Sequence, residues 1–114
     1  MPYYLNRFTY TSETWRKLIR DPVDRTEAIR EVIEQAGGKL HGFFYAFGPA
    51  DGYILAEFPD DVAFAAVAAL AAASGTDKAA ETTVLMRPDE MLQALTAASR
   101  FSFRAPDDLE APST

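Results

Sequence analysis

His41 is the sole histidine of the chain, and its side chain is the one whose ordinary pKa puts proton exchange near neutral pH. It stands in Lys39 to Phe47, a run that reads as a β-strand, and Glu57 stands in the next such run, Tyr53 to Phe58. The turn signal Gly48-Pro49-Ala50-Asp51-Gly52 folds the two runs into a hairpin. One register of that hairpin sets His41 opposite Glu57, with Tyr45 and Tyr53 as neighbours. A carboxylate orienting an imidazole beside a phenol is a workable general acid–base arrangement. The catalytic candidates are therefore His41, Glu57 and Tyr45, with Tyr53 beside them. A slip of two residues separates the set, and the competing reading is a hydrogen-bonded histidine lining a dimer interface.

The candidate ligand contacts are Tyr4, Asn6, Phe43, Tyr53 and Trp15. Trp15, with Leu18 and Ile19, reads first as packing. It can also floor a pocket mouth, because the helix after the first strand breaks at Asp21-Pro22. Arg7 has the chemistry to hold an anion, but its strand parity sets it opposite to Asn6 and favours a structural ion pair.

Other chemistries find little support. With one histidine and no cysteine there is no thiolate nucleophile, zinc-thiolate site or disulfide framework. Asp60-Asp61 and Asp89-Glu90 read as helix starts, where carboxylates meet the positive end of the helix dipole, so no metal site is expected. Gly37-Gly38 and the Gly48/Gly52 pair lack phosphate-loop spacing, and no serine has a nucleophile-elbow context. No cofactor is expected.

The chain's 114 residues suit one domain, and its net charge of -6 argues against nonspecific nucleic-acid binding. Residues 1–39 carry a net +1 and the remainder -7. The basic residues of the first part alternate with acids along a helix, the pattern of a solvated face. The N-terminus lacks a secretory pattern, and the longest apolar stretch, Val62 to Ala73, falls short of the roughly 20 residues a bilayer requires. A cytoplasmic protein without membrane contact is the expectation.

These residues need a scaffold to bring them together. Tyr3 to Tyr10 reads as a strand. Ser12 caps a helix, and Asp21-Pro22 starts it afresh. Ala28, Ile29, Val32, Ile33 and Ala36 form its apolar stripe, and Gly37-Gly38 ends it. After the hairpin, Pro59-Asp60-Asp61 opens a helix whose apolar face holds Phe64, Val67, Leu70 and Ala71. Eight of the eleven residues from Ala63 to Ala73 are alanine, so this helix can lie close to a neighbour. Ala80 to Met86 reads as a fourth strand, and Pro88 opens a helix with Met91, Leu92 and Leu95. Residues 104–114 read as a disordered tail behind a single domain, 1–103. The order βαββαβ plus a C-terminal helix is that of an α+β, ferredoxin-like sandwich with a four-stranded antiparallel sheet.

Strand alternation gives two faces. Leu5, Leu40, Gly42, Phe44, Ile54, Ala56, Val84 and Met86 suit packing under helices. Tyr4, Asn6, Phe8, His41, Phe43, Tyr45, Tyr53, Leu55, Glu57, Thr83 and Leu85 form a face too aromatic for water and too polar for a dry core. Such a face closes best against a twin sheet, which predicts a homodimer, with higher oligomers also open, and a cavity edged by polar groups.

Gly37-Gly38-Lys39-Leu40-His41-Gly42-Phe43, Phe47-Gly48-Pro49-Ala50-Asp51 and Ile54-Leu55-Ala56-Glu57-Phe58-Pro59-Asp60-Asp61 together resemble the GYD domain family. The opening Met1-Pro2-Tyr3-Tyr4-Leu5 with Tyr10-Thr11, and Ala80-Glu81-Thr82-Thr83 before the fourth strand, follow its layout too. The resemblance covers roughly residues 1–95 and implies a dimeric α+β barrel. One position departs from the pattern: Ala50 stands where the family's tyrosine is expected, with Pro49 beside it and Tyr53 nearby. The family supplies architecture without a defined activity.

Three functions fit these residues. The first is a homodimer binding a small organic molecule on the aromatic and polar face. The second is a cofactor-independent enzyme using His41, Glu57, Tyr45 and Tyr53. The third is a purely structural or regulatory oligomer. A cavity of at least about 300 Å³ touching His41 favours the first two.

Overall fold

The computed structural model describes residues 1–106, so the expected tail lies outside the described residues from residue 107 on. The elements are β1 (Tyr3–Tyr10), α1 (Ser12–Arg20), α2 (Thr26–Gln35), β2 (Lys39–Tyr45), β3 (Gly52–Glu57), α3 (Asp61–Ser74), β4 (Asp77–Leu85) and α4 (Pro88–Ala98). The four strands form one antiparallel sheet in the order β2-β3-β1-β4. The fold is α+β and ferredoxin-like, with a split first crossover and an added C-terminal helix. Among the described residues no helix is long and apolar enough to cross a membrane.

Local chemistry explains most element boundaries. Thr11, rather than Ser12, caps α1, its hydroxyl accepting from Thr14 N. Helix α2 begins four residues later than Asp21-Pro22 suggests. The Asp24 carboxylate accepts from both Thr26 N and Thr26 Oγ1, an Asx turn that holds residues 21–25 out of the helix. Those hydrogen bonds also keep the Asp24 carboxyl below its usual range. Gly37 and Gly75 close α2 and α3 with φ of 79° and 71°, a conformation that costs glycine little. Asp60 caps α3 by accepting from Ala63 N.

The core lies where α2 and α3 meet the sheet. Tyr4, Ile33, Ala56 and Phe58 are its buried centre, with Ile29, Val32, Leu40, Ile54, Phe64 and Val67 packed around them. Tyr4 stacks on Phe64 with ring centroids 4.7 Å apart and meets Phe58 edge-on at 5.5 Å. Helix α4 leaves Met91, Leu92 and Leu95 exposed. The overall extents are 71 × 29 × 23 Å, and the radius of gyration is 19.7 Å. A compact chain of this length would have a radius near 13 Å, using roughly 2.2·N^0.38 Å.

Two features redistribute the residues between the sheet faces. Tyr4 pairs with Ala56, Asn6 with Ile54 and Phe8 with Gly52, so Tyr4 and Phe8 lie under the helices, while Tyr3, opposite Glu57, stays on the open face. In β2 the register shifts between Leu40 and Gly42. His41 is the additional residue, and a β-bulge of this kind reverses the alternation beyond it. Phe43 and Tyr45 therefore also turn to the helix side, while Leu5, Gly42 and Phe44 belong to the open face with Tyr53, Leu55, Glu57, Thr83 and Leu85. The expected mixed face is thus divided in two. The reason is physical: side-chain parity belongs to the pairing of strands, and one extra residue changes it without altering the local pattern.

Candidate functional site

The helix-side aromatics line a cavity of about 640 Å³ between the sheet and helices α2 and α3. Its floor is Tyr4, Asn6, Phe8, Phe43 and Ile54. The α2 wall comes from residues at helical spacing, namely Ala28, Ile29, Val32 and Ile33. The α3 wall tapers. Phe64 and Val67 fill the space near the start of the helix, and Ala68 and Ala71 on the same face leave it open further along. The alanine-rich sequence thus forms a good helix with little bulk, and volume remains where larger side chains would have closed the core.

Polar groups mark particular places on this surface. The Tyr4 hydroxyl donates to the Asp61 carboxylate at the start of α3. That hydrogen bond, reinforced by burial, pushes the phenol up to about 12. The Asn6 amide donates to Thr82 Oγ1 at 3.0 Å, tying β1 to β4. At the far end stand Tyr10, Arg25, Asp77 and Lys78. Burial raises both the Tyr10 phenol and the Asp77 carboxyl, and the Arg25 charge acts against each shift.

Trp15 and Tyr45 lie beside the cavity in an aromatic cluster. The Tyr10 and Tyr45 hydroxyls are 3.1 Å apart. The Trp15 ring meets Tyr10 edge-on at 5.1 Å. Asp51 fastens this cluster, accepting from Tyr10 N at 2.9 Å and from Trp15 Nε1 at 3.2 Å. Ala50, next to Asp51 in the chain, is buried.

The open face holds a different group. His41 Nε2 donates to Glu57 Oε1 across 2.6 Å, with the two side chains 26% and 17% exposed. The hydrogen bond from His41 keeps the Glu57 carboxyl below the usual range, with a smaller contribution from Tyr3. The Tyr3 ring lies 5.2 Å from the imidazole, and the Arg87 guanidinium lies 5.9 Å from the centre of the Tyr3 ring. Arg7 pairs with Glu81 at 2.6 Å on this face.

The sequence-derived candidates therefore separate. His41, Glu57 and Tyr53 share the open face, whereas Tyr45 lies on the opposite side with Tyr10 and Trp15. Tyr4, Asn6 and Phe43 line the cavity, and the cavity does not touch His41. Tyr3 takes the place beside the imidazole that parity had suggested for Tyr45. Sequence reasoning missed Arg25 and Asp77. One signal pointed to Arg25: it precedes Ile29 and Val32 by four and seven residues, in phase with the apolar stripe of α2. Among the described residues no group of three or more histidine, aspartate or glutamate side chains is placed to hold a metal.

A nipsnap family protein with unknown function from Agrobacterium tumefaciens is 17% identical, with 75% of this chain and 86% of that chain covered and a TM-score of 0.43. Another crystal structure of that same Agrobacterium tumefaciens protein gives 19% identity, 75% and 92% coverage, and a TM-score of 0.44. A mutant of MhuD with two manganese protoporphyrin IX molecules bound per active site gives 18%, 77% and 95%, and 0.45. No curated protein matches the chain. The GYD domain matches residues 4–95, which is most of the sequence. The chain belongs to the GYD domain family.

Proposed function

We propose that this protein binds a small organic molecule in the cavity between its sheet and helices α2 and α3. The cavity of about 640 Å³ under Tyr4, Phe8 and Phe43 carries this reading, since ligand sites commonly occupy about 300–1,000 Å³ with apolar walls and a few polar groups. The test is binding of a neutral apolar fluorophore, N-phenyl-1-naphthylamine, to the intact chain. The expected result is saturable binding that Ala68→Phe abolishes by filling the tapered wall. Absence of saturable binding to the wild-type chain defeats the proposal.

The working unit in this reading is a homodimer formed through the open sheet face. Phe44 on that face is 66% exposed, and its ring lies over Gly42, where an added Cβ would come within 2.7 Å of the ring. With Leu5, Leu55 and Leu85 it gives an apolar centre, flanked by the His41–Glu57 and Arg7–Glu81 pairs. An apolar centre with a polar rim suits a protein interface, and it gives His41 an interface role. Sedimentation of wild type and Phe44→Glu is the test. A wild-type dimer that becomes monomeric in the variant supports the assembly, and a monomeric wild type refutes it.

A further inference from the structure

One end of the cavity is at odds with its apolar walls. Arg25 stands just ahead of α2, and its side chain forms part of the cavity lining close to Tyr10 and Asp77. The Arg25 Nε is shielded from solvent and has no hydrogen-bond partner among the described residues. Among those residues no carboxylate lies within 4.0 Å of its guanidinium. A shielded charged donor left without an acceptor is costly, and buried polar groups in native folds are nearly always satisfied. An anionic group bound in the cavity would give the Arg25 charge a partner.

The surroundings narrow the acceptor further. Arg25 and Lys78 set against Asp77 leave this end with one net positive charge. A single negative charge balances it, whereas a dianionic phosphate would face Asp77 with charge to spare. The planar guanidinium also matches the two oxygens of a carboxylate. The remaining lining is mainly apolar, from Ile29 and Val32 to Phe43 and Ala68, with Asn6 and Thr82 among its polar exceptions.

We propose that the cavity ligand is an apolar molecule bearing a single carboxylate, with Arg25 holding the carboxylate and the tapered space under α3 holding the apolar body. This rests on the cavity-binding reading and adds the charge that the cavity recognises.

Dansylaminoundecanoic acid and its methyl ester separate the two ideas, since they differ in charge and share the apolar body. The wild-type chain should bind the acid about tenfold more tightly than the ester, the scale of one charge-assisted contact. Arg25→Met should remove that preference, read as the ratio of acid to ester affinity in the same variant. Arg25→Lys should keep part of it, because the charge remains and the planar fork does not. The wild-type comparison and Arg25→Lys keep the test decisive if Arg25→Met fails to fold. Equal wild-type affinity for acid and ester, or an acid preference that persists in Arg25→Met, overturns the carboxylate assignment and leaves the cavity reading standing. Failure of both probes to bind overturns both.

Discussion

Glu57 pairs across the hairpin with Lys39, yet its carboxylate accepts a hydrogen bond from His41 at 2.6 Å. The bulge makes this possible by placing an additional residue between Leu40 and Gly42. It turns the imidazole along the strand toward a partner that is not its direct opposite.

That hydrogen bond has a defined pH signature. Glu57 is depressed in the folded state, first by His41. A depressed carboxyl contributes stability above its unfolded pKa, about 4.3, and loses it as pH falls through the folded value. Thermal unfolding of wild type and Glu57→Gln should therefore differ at pH 6 and converge at acid pH. A gap that is constant or widens toward acid pH would show that the carboxylate is not the source.

Tyr4 joins the core to the start of α3. Replacing it with phenylalanine removes the hydroxyl donated to Asp61 and keeps the ring between Phe58 and Phe64. The expected loss is about 1–2 kcal/mol for Tyr4→Phe, and about 3–5 kcal/mol for Tyr4→Ala, which also leaves a cavity. Chemical denaturation measures both. Spectrophotometric titration adds a second check, because Tyr4→Phe should delete a phenol that ionises near 12.

Asp51 holds β1 and α1 to the hairpin through Tyr10 N and Trp15 Nε1. Asp51→Ala leaves both donors without this acceptor and should cost about 1–3 kcal/mol. The emission of Trp15, the only tryptophan, should shift to the red as α1 loosens. Unchanged emission would show that the indole is held by its aromatic neighbours alone.

Gly75 ends α3 with φ of 71°. Nothing lies within 4 Å of where a Cβ would sit, so Gly75→Ala tests backbone strain without a clash. The expected cost is about 1 kcal/mol, read as a lowered denaturation midpoint. Cavity binding of the neutral fluorophore should be kept.

The sequence made some of these features plain and concealed others for identifiable reasons. Gly37 and Asp60 were legible because a positive φ or an N-cap is a requirement of the local backbone. The α+β, ferredoxin-like class with a four-stranded antiparallel sheet followed from the succession of elements. The faces of β1 and β2 were not legible, since neither the parity of Tyr4 nor the extra residue at His41 leaves a mark in the local alternation. Arg25 was hidden for a related reason. As one cation among several in a helix of alternating charge, it looks solvated, and only the packed fold brings it beside Asp77 at the end of an apolar space.

The taper of α3 has one more consequence. Phe64 and Val67 anchor the helix, while Ala68 and Ala71 set the room left beside it. Anchorage and capacity are thus assigned to separate turns of one helix. Exchanging a methyl group at the later turns for something larger would resize the chamber and leave its hinges alone, so the same scaffold can be tailored to guests of different girth.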